Sequence, residues 1–313
     1  MTPYYKPEIR ESNMPFFTVI IPTYNRADLI VHSIESVINQ TFNDFEIIVI
    51  DNKSTDDTVS RLQPYLKYDF FSLVVQERNY ERARSRNKGF ELARGKYVTL
   101  LDSDDILYPN CFADAVEYLN QNPDRKFFHC NYQIIDQTGR TLYKGSGKKP
   151  RNPFRELAMG NYISNIGLFM EQPVIKKIRV DETPVLIGME DYDFILRVLY
   201  EVKSIGYIDK VNCGVLQHPG RTVMVQDLPI IEDRVRYFLK KNLSSELFEH
   251  DFRSFRNSFV SSNMLYLCGA AAVRGLTFKA IGYWFNSGAA NVRDIFTIKY
   301  WRHFLVIIKN MFK

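Results

Sequence analysis

The sequence predicts an α/β fold, a mostly parallel central sheet flanked by helices and followed by a helical C-terminal region. Three observations carry this. Short, nearly all-apolar segments recur at 16–21, 45–50, 72–76 and 97–101, as expected of strands buried on both faces. Segments of helical spacing separate them, most clearly Leu29, Ile30, Ile34, Val37, Ile38 and Phe42. Beyond about residue 225 the apolar pattern is almost entirely helical.

The first strand, FFTVII, stops at PTYNR, where Pro22 and Asn25 read as a loop before the first helix. The second, FEIIVI, ends at Asp51, and Ser54 with Asp56 and Asp57 opens a short helix. The third, FSLVVQ, precedes the helix YERARSRNKGFELARG. The fourth, KYVTLL, runs straight into Asp102, Asp104 and Asp105. CFADAVEYLNQNPD reads as a helix, and FFHCNYQIID and RTLYKG as two strands joined by QTG. A loop at SGKKPRNP, a helix around FRELAMG, a strand around NIGLFME and the helix DYDFILRVLYE follow. A last strand, SIGYIDKVNCGVLQH, ends at His218. YLCGAAAVRG and KAIGYWFNSGAAN then read as a helix pair with small residues at its contact. In parallel sheets the ligand crevice lies beyond the carboxyl ends of the strands. Asp51 and the Asp102–Asp105 cluster are therefore expected to face one cleft. The expected division is 1–225, with a nucleotide-binding half at about 16–105 and an acceptor half at about 106–225, and a helical region at 226–313.

Of the 313 residues, 45% are apolar and 25% charged, which suits a globular protein with a sizeable core. The net charge of +5 is uneven: from Ile230 onward 13 Lys and Arg face 6 Asp and Glu, a net +7. That asymmetry points to an anionic partner. With no dense basic run and no zinc-finger spacing, a membrane surface or a lipid phosphate fits better than nucleic acid. Cys111, Cys130, Cys213 and Cys268 form no CxxC pair and read as buried reduced thiols. The opening lacks a basic region followed by an apolar core, so no signal peptide is expected. No apolar run approaches the roughly 20 residues of a membrane span. The expectation is a protein on the cytoplasmic side of any membrane it touches.

Three carboxylates within four residues repel one another, and the end of a buried strand is a costly place to desolvate them. A hard divalent cation such as Mg or Mn would compensate the repulsion and bridge to an anionic substrate. The competing reading, capping of the helix near Pro109, would need only one Asp. Just upstream lie Arg78, Arg82, Arg84, Arg86 and Lys88. Arg82 and Arg86 read as a solvated helix face. Arg84 and Asn87, three apart, share another face that suits a diphosphate or a ribose.

TVIIPTYNRADLIVHSIESVINQTFNDFEIIVIDNKSTDDT, RNYERARSRNKGFELARGKYVTLLDSDDILYP and GMEDYDFILRV resemble, in order and spacing, the signatures of glycosyltransferase family 2. The resemblance covers 16 to about 220. It implies an inverting, nucleotide-sugar-dependent enzyme of the GT-A fold. By that likeness Thr23, Tyr24 and Asp51 hold the nucleobase, Asp51 accepting from its ring N–H, with Pro22, Asn25 and Ser103 also on the nucleotide side. Arg84 approaches the diphosphate, Asp102 contacts the ribose, and Asp104 binds the metal. Asp191 is the general base, and His218, in LQHPGRT, stands near the metal or the diphosphate.

These residue types suit the chemistry. A cation neutralises the leaving diphosphate, and one carboxylate on the opposite face of the sugar takes the acceptor hydroxyl's proton. A single displacement of this kind inverts the anomeric centre. Glu190 and Asp191 also fit a helix N-terminus, where negative charge complements the dipole. No glycine-rich loop follows the first strand, which argues against a nucleotidyltransferase or a dinucleotide oxidoreductase. The rival from another class is a non-catalytic nucleotide-sugar or glycan-lipid binding module of the same fold. UDP-sugars are favoured over GDP- and dTDP-sugars, and the acceptor class implied is a glycan or lipid-linked sugar of bacterial surface polysaccharide synthesis. In the tail 294–313, Ile298, Trp301, Leu305, Ile308 and Phe312 align on one helical face between basic residues. That face suits the plane of a membrane, with packing on the preceding helix pair or on a second copy in a dimer as the competing readings.

Overall fold

The computed structural model describes residues 4–5, 14–145, 149–218 and 227–311. The chain forms two compact units. The first comprises 1–150, 163–182 and 201–219, and the second 151–162, 183–200 and 220–313.

Among the described residues the first unit holds one sheet of ten strands. In chain order these are β1 (Tyr4–Tyr5), β2 (Phe17–Thr23), β3 (Phe45–Asp51), β4 (Phe71–Val75), β5 (Tyr97–Leu100), β6 (Ile106–Leu107), β7 (Phe127–Ile135), β8 (Thr141–Lys144), β9 (Leu168–Glu171) and β10 (Gly206–Leu216). Their order across the sheet is β1-β4-β3-β2-β5-β9-β7-β10-β6, with β8 on β7. The four expected strands lie side by side and parallel: β4 on β3, β3 on β2, β2 on β5. Antiparallel β9 joins this block to the parallel pair β7 and β10, which makes the sheet mixed. The apolar segments behave as their composition requires, every residue of β2 and β3 being buried.

Helices α1 (Ile30–Ile38), α2 (Thr58–Leu62), α3 (Glu81–Leu92), α4 (Cys111–Gln121) and α6 (Gln172–Lys177) belong to this unit, and α5 (Pro153–Ala158) to the other. Helix α3 presses close on β2: a Cβ at Gly89 would stand 2.3 Å from the buried Ile20 Cγ2, far inside van der Waals contact. The cysteines far apart in sequence meet in the core. Cys111, Cys130 and Cys213 place their sulfurs within 4.8 Å of one another, and those of Cys130 and Cys213 are 3.5 Å apart.

The second unit is helical. It takes α5, most of α7 (Glu190–Val202), α8 (Leu228–Leu243), α9 (Glu246–Glu249), α10 (Arg256–Ala272), α11 (Thr277–Ala290) and α12 (Ile298–Met311). The expected helix pair is α10 and α11, with Ala271, Ala272 and Ala280 in its core and a Ser261–Ser287 hydroxyl contact of 2.8 Å. Helix α12 packs on that core through Tyr300 and Ile307. The apolar face expected to meet a membrane or the helix pair is turned outward, with Ile298 82% and Leu305 63% exposed. Phe312 lies outside the described residues, as do Pro219, Gly220, Arg221 and Thr222 of LQHPGRT.

Gly89→Ala tests the α3–β2 contact. The helix gains at most about 1 kcal/mol of propensity, whereas overpacking a filled core costs about 1–3 kcal/mol. A lower urea midpoint is expected; an unchanged or higher one would mean that α3 shifts freely on the sheet.

Candidate active site

On the first unit, the carboxyl ends of β2, β3 and β5 present the expected residues. Thr23 and Asp51 are register partners on adjacent strands. Both are buried, and the Thr23 Oγ1 and Asp51 Oδ1 atoms have no hydrogen-bond partner among the described residues. The other Asp51 oxygen accepts from the Ser54 N–H at 3.0 Å. Burial pushes the Asp51 carboxyl above its ordinary value, and the Ser54 bonds offset this only in part. Pro22 is buried in β2 and Tyr24 is exposed. Asn25 adopts a left-handed backbone (φ 49°), which its short polar side chain tolerates. Its backbone N–H donates to Ser54 Oγ at 2.9 Å and its Oδ1 accepts from the Thr55 N–H at 2.8 Å. The PTYN turn is thus tied to the loop after β3.

The acidic turn after β5 answers its own repulsion. Asp102 pairs with Arg86 at 3.1 Å, and the Arg86 side chain is 0% exposed. Arg86 therefore corrects the expectation of a solvated face: α3 turns this guanidinium inward to meet a carboxylate. Asp104 Oδ2 lies 2.9 Å from His218 Nε2 and 3.6 Å from Arg26 Nε. Asp105 is buried and accepts from the Leu216 N–H at 2.9 Å, fixing the end of β10 two residues before His218. That strand stops at Leu216 rather than at His218. Ser103 is buried between the acids. Helix α4 starts after Asn110 with no side-chain cap, so capping does not explain the cluster.

Asp104 and His218 are the pair expected to hold a divalent cation. Two ligands at right angles around an ion bonded at about 2.1 Å stand about 3.0 Å apart, close to the separation of these two atoms. A carboxylate oxygen with an imidazole nitrogen suits Mn better than Mg, which prefers oxygen ligands throughout. The residues fit the group.

Arg84 lies elsewhere on the same unit. Its guanidinium stacks over Tyr80 at 4.1 Å, 3.9 Å from Glu182, on a cavity of about 510 Å³ that Gln76 and Asn87 also line. Arg84 and Asn87 share a face as expected. The Asn87 amide is engaged, however, donating to Val180 O at 2.9 Å and to Glu182 Oε1 at 2.8 Å.

Asp191 belongs to the second unit, in the first turn of α7. Of the acids in EDYD, Glu190 is buried and accepts from the Gly188 N–H. Asp193 is buried between Arg197 and Lys241, each at 2.8 Å. Asp191 is the one that lines a cavity, of about 420 Å³, with Asn161, Asn263, Tyr266, Lys299 and His303. Gly188 (φ 98°) turns the chain into the helix where a Cβ would strike the Arg234 guanidinium.

Residues 18–176, just over half of the chain, match the model of Glycosyl transferase family 2. The chain belongs to that family. An uncharacterized glycosyltransferase of Rickettsia bellii is 36% identical over 172 residues, 53% of this chain. This chain spans only a quarter (25%) of that relative's length. The GalNAc(5)-diNAcBac-PP-undecaprenol beta-1,3-glucosyltransferase of Campylobacter jejuni is 36% identical over 137 residues, 43% of each chain. Among solved structures, S. aureus TarS 1-349 in complex with UDP-GlcNAc superposes with a TM-score of 0.69 at 19% identity, covering 94% of this chain and 88% of that one. At that identity the likeness speaks for the fold, and the sheet with its helices is the GT-A fold that the motifs imply.

Arg26, Arg86 and Asp105 complete this candidate site without having been singled out as site residues. Arg26 directly follows PTYN, yet only the folded loop brings it to Asp104.

Asp51→Asn separates a site carboxylate from a structural one. A carboxyl raised by burial costs nothing below its ordinary value of 3.8, and its cost grows as pH rises towards the folded value, complete above it. At pH 7 the Asn variant is expected to unfold at or above the wild-type urea midpoint, the gain fading as pH falls towards 4. A clear loss of stability at pH 7 would make Asp51 a structural residue.

Proposed function

We propose that the protein is an inverting glycosyltransferase that moves a sugar from a nucleotide diphosphate sugar, UDP-linked by preference, to a hydroxyl of a glycan or lipid-linked acceptor in bacterial surface polysaccharide synthesis. The observation that carries this reading is the contact of Asp104 with His218 at the carboxyl edge of the sheet that also presents Asp51. The reading is supported by family membership, by the undecaprenol-linked acceptor in the Campylobacter relative's name and by the UDP-GlcNAc bound to TarS.

In this reading the unpartnered Asp51 Oδ1 accepts the ring N–H of the base, and the buried Thr23 hydroxyl stands beside it. Asp102, held by Arg86 and 33% exposed, turns its remaining surface to the ribose. Arg84, in its own cavity, is the proposed diphosphate contact. Asp104 and His218 would hold the cation, which when bound supplies Lewis-acid neutralisation of the departing diphosphate. Asp191 takes the proton of the attacking hydroxyl, and the helix N-terminus fixes its carboxylate in place. The proposed division assigns the donor to about 16–105 and the acceptor to about 106–225. In this reading the reaction takes place on the cytoplasmic side of any membrane the protein touches.

The test uses Mn-loaded enzyme and a panel of UDP-, GDP- and dTDP-sugars. Asp104→Ala and excess chelator should each abolish donor turnover while the protein stays folded. Asp191→Asn should lower transfer about 100-fold or more, the scale of general-base catalysis, with donor affinity little changed. Undiminished turnover in chelator would remove the metal from the reading. Tight donor binding with no turnover under any condition would favour the non-catalytic module.

We further propose that the outward face of α12 touches the inner face of the membrane, bringing the enzyme to a lipid-linked acceptor. Ile298, Trp301, Leu305 and Ile308 are exposed there, with Arg302 and Lys309 on the same helix. Among the described residues no helix is long and apolar enough to cross a membrane. Co-sedimentation with anionic liposomes is expected for the wild type and is expected to be lost in Ile298→Asp/Leu305→Glu. Binding that survives the double change would clear this face of the role, and a shift in oligomeric state instead would assign it to a second copy.

A further inference from the structure

The cavity beside Asp191 is mostly apolar in its lining, and α12 brings two basic side chains to it. Lys299 and His303, one turn apart, both line it, with Asn263 and Tyr266 from α10 and Asn161. Its volume of about 420 Å³ falls within the roughly 300–1,000 Å³ of small-ligand sites. The Lys299 Nζ donates to the Met159 carbonyl at 2.6 Å. An ammonium has three donors, and that carbonyl takes one. Lys299 is exposed as a residue, and the Asp294 carboxylate acts on it from beyond ion-pair distance. Burial of the ammonium end pushes Lys299 below its ordinary value against the opposing effect of Asp294, and burial lowers His303 likewise. A carboxylate is present in the cavity, but it is Asp191 on α7, which disfavours an anion against itself. An anionic group entering here therefore belongs with the α12 residues, and the hydroxyl of the same ligand with Asp191.

We propose that this cavity is the acceptor site, and that Lys299 with His303 recognises an anionic group, phosphate or carboxylate, on the acceptor sugar that presents its hydroxyl to Asp191. The assignment rests on Asp191 as the base. It makes α12 part of the specificity machinery, and it makes neutral sugars poor acceptors.

The experiment measures binding of glucose 6-phosphate, glucuronate and glucose by calorimetry, with the donor site saturated by UDP so that phosphate cannot enter it. At least one anionic sugar should bind the wild type about 10-fold or more tighter than glucose, the scale of a charge-assisted hydrogen bond. The better of the two identifies the group. Lys299→Met, which keeps the stem and loses the charge, should erase the preference, and Lys299→Arg should retain most of it. His303→Gln, which leaves the Lys299–Met159 bond untouched, should weaken the preference and serves if Lys299→Met does not fold. Equal binding of all three sugars, no binding of either anion, or anion binding unchanged in both Lys299→Met and His303→Gln would overturn the proposal. Donor turnover on the same preparations separates the two readings. If anion preference is absent while Asp191-dependent turnover persists, this inference alone fails; if no preparation turns over any donor, the acceptor role falls with the transfer reading.

Discussion

Everything at the carboxyl edge of the sheet follows from the need to neutralise three neighbouring carboxylates. Each has a partner from a different part of the chain: Asp102 the guanidinium of α3, Asp104 the imidazole after β10 and the guanidinium after β2, Asp105 a backbone N–H at the end of β10. Removing one partner of a buried pair typically costs about 3–5 kcal/mol, and somewhat less where, as for Asp102, one partner keeps contact with water. The acidic turn therefore acts as a hub. The loops that carry Arg26 and His218 are held by it as much as they hold it, and a site assembled in this way is ordered before any ligand arrives.

The second unit treats its acids differently. Within four residues of α7, Glu190 is spent on closing the preceding turn and Asp193 on an Arg–Lys clamp, and both are buried. Asp191 alone of the three lines a cavity. Two neighbours committed to structure anchor the first turn of the helix, so the remaining carboxylate sits on a rigid support, which suits the proposed role of proton acceptor.

Much of this was legible in the sequence because it is local. Apolar runs marked the four parallel strands, and Asp51 and the Asp102–Asp105 cluster at the ends of two of them marked where the crevice opens. The hairpin of β7 and β8 and the small-residue contact of α10 with α11 were legible for the same reason. What escaped depends on contacts distant in sequence. Arg86 looked like one more charge on a basic helix, and only the approach of α3 to β2, which Gly89 permits, turns it inward onto Asp102. Three cysteines with no spacing motif meet because α4, β7 and β10 stack there. The stripe on α12 was correctly periodic, but that a different side of the helix, carrying Tyr300 and Ile307, packs on the unit's core depends on contacts the sequence does not show.

The thiols have a practical corollary. All four cysteines are buried: Cys111, Cys130 and Cys213 in the sheet unit, and Cys268 in the helical one. An alkylating reagent in solution meets them only when the surrounding structure opens. Modification rates resolved by mass spectrometry thus time the opening of each unit separately, on the unaltered protein and without any introduced probe.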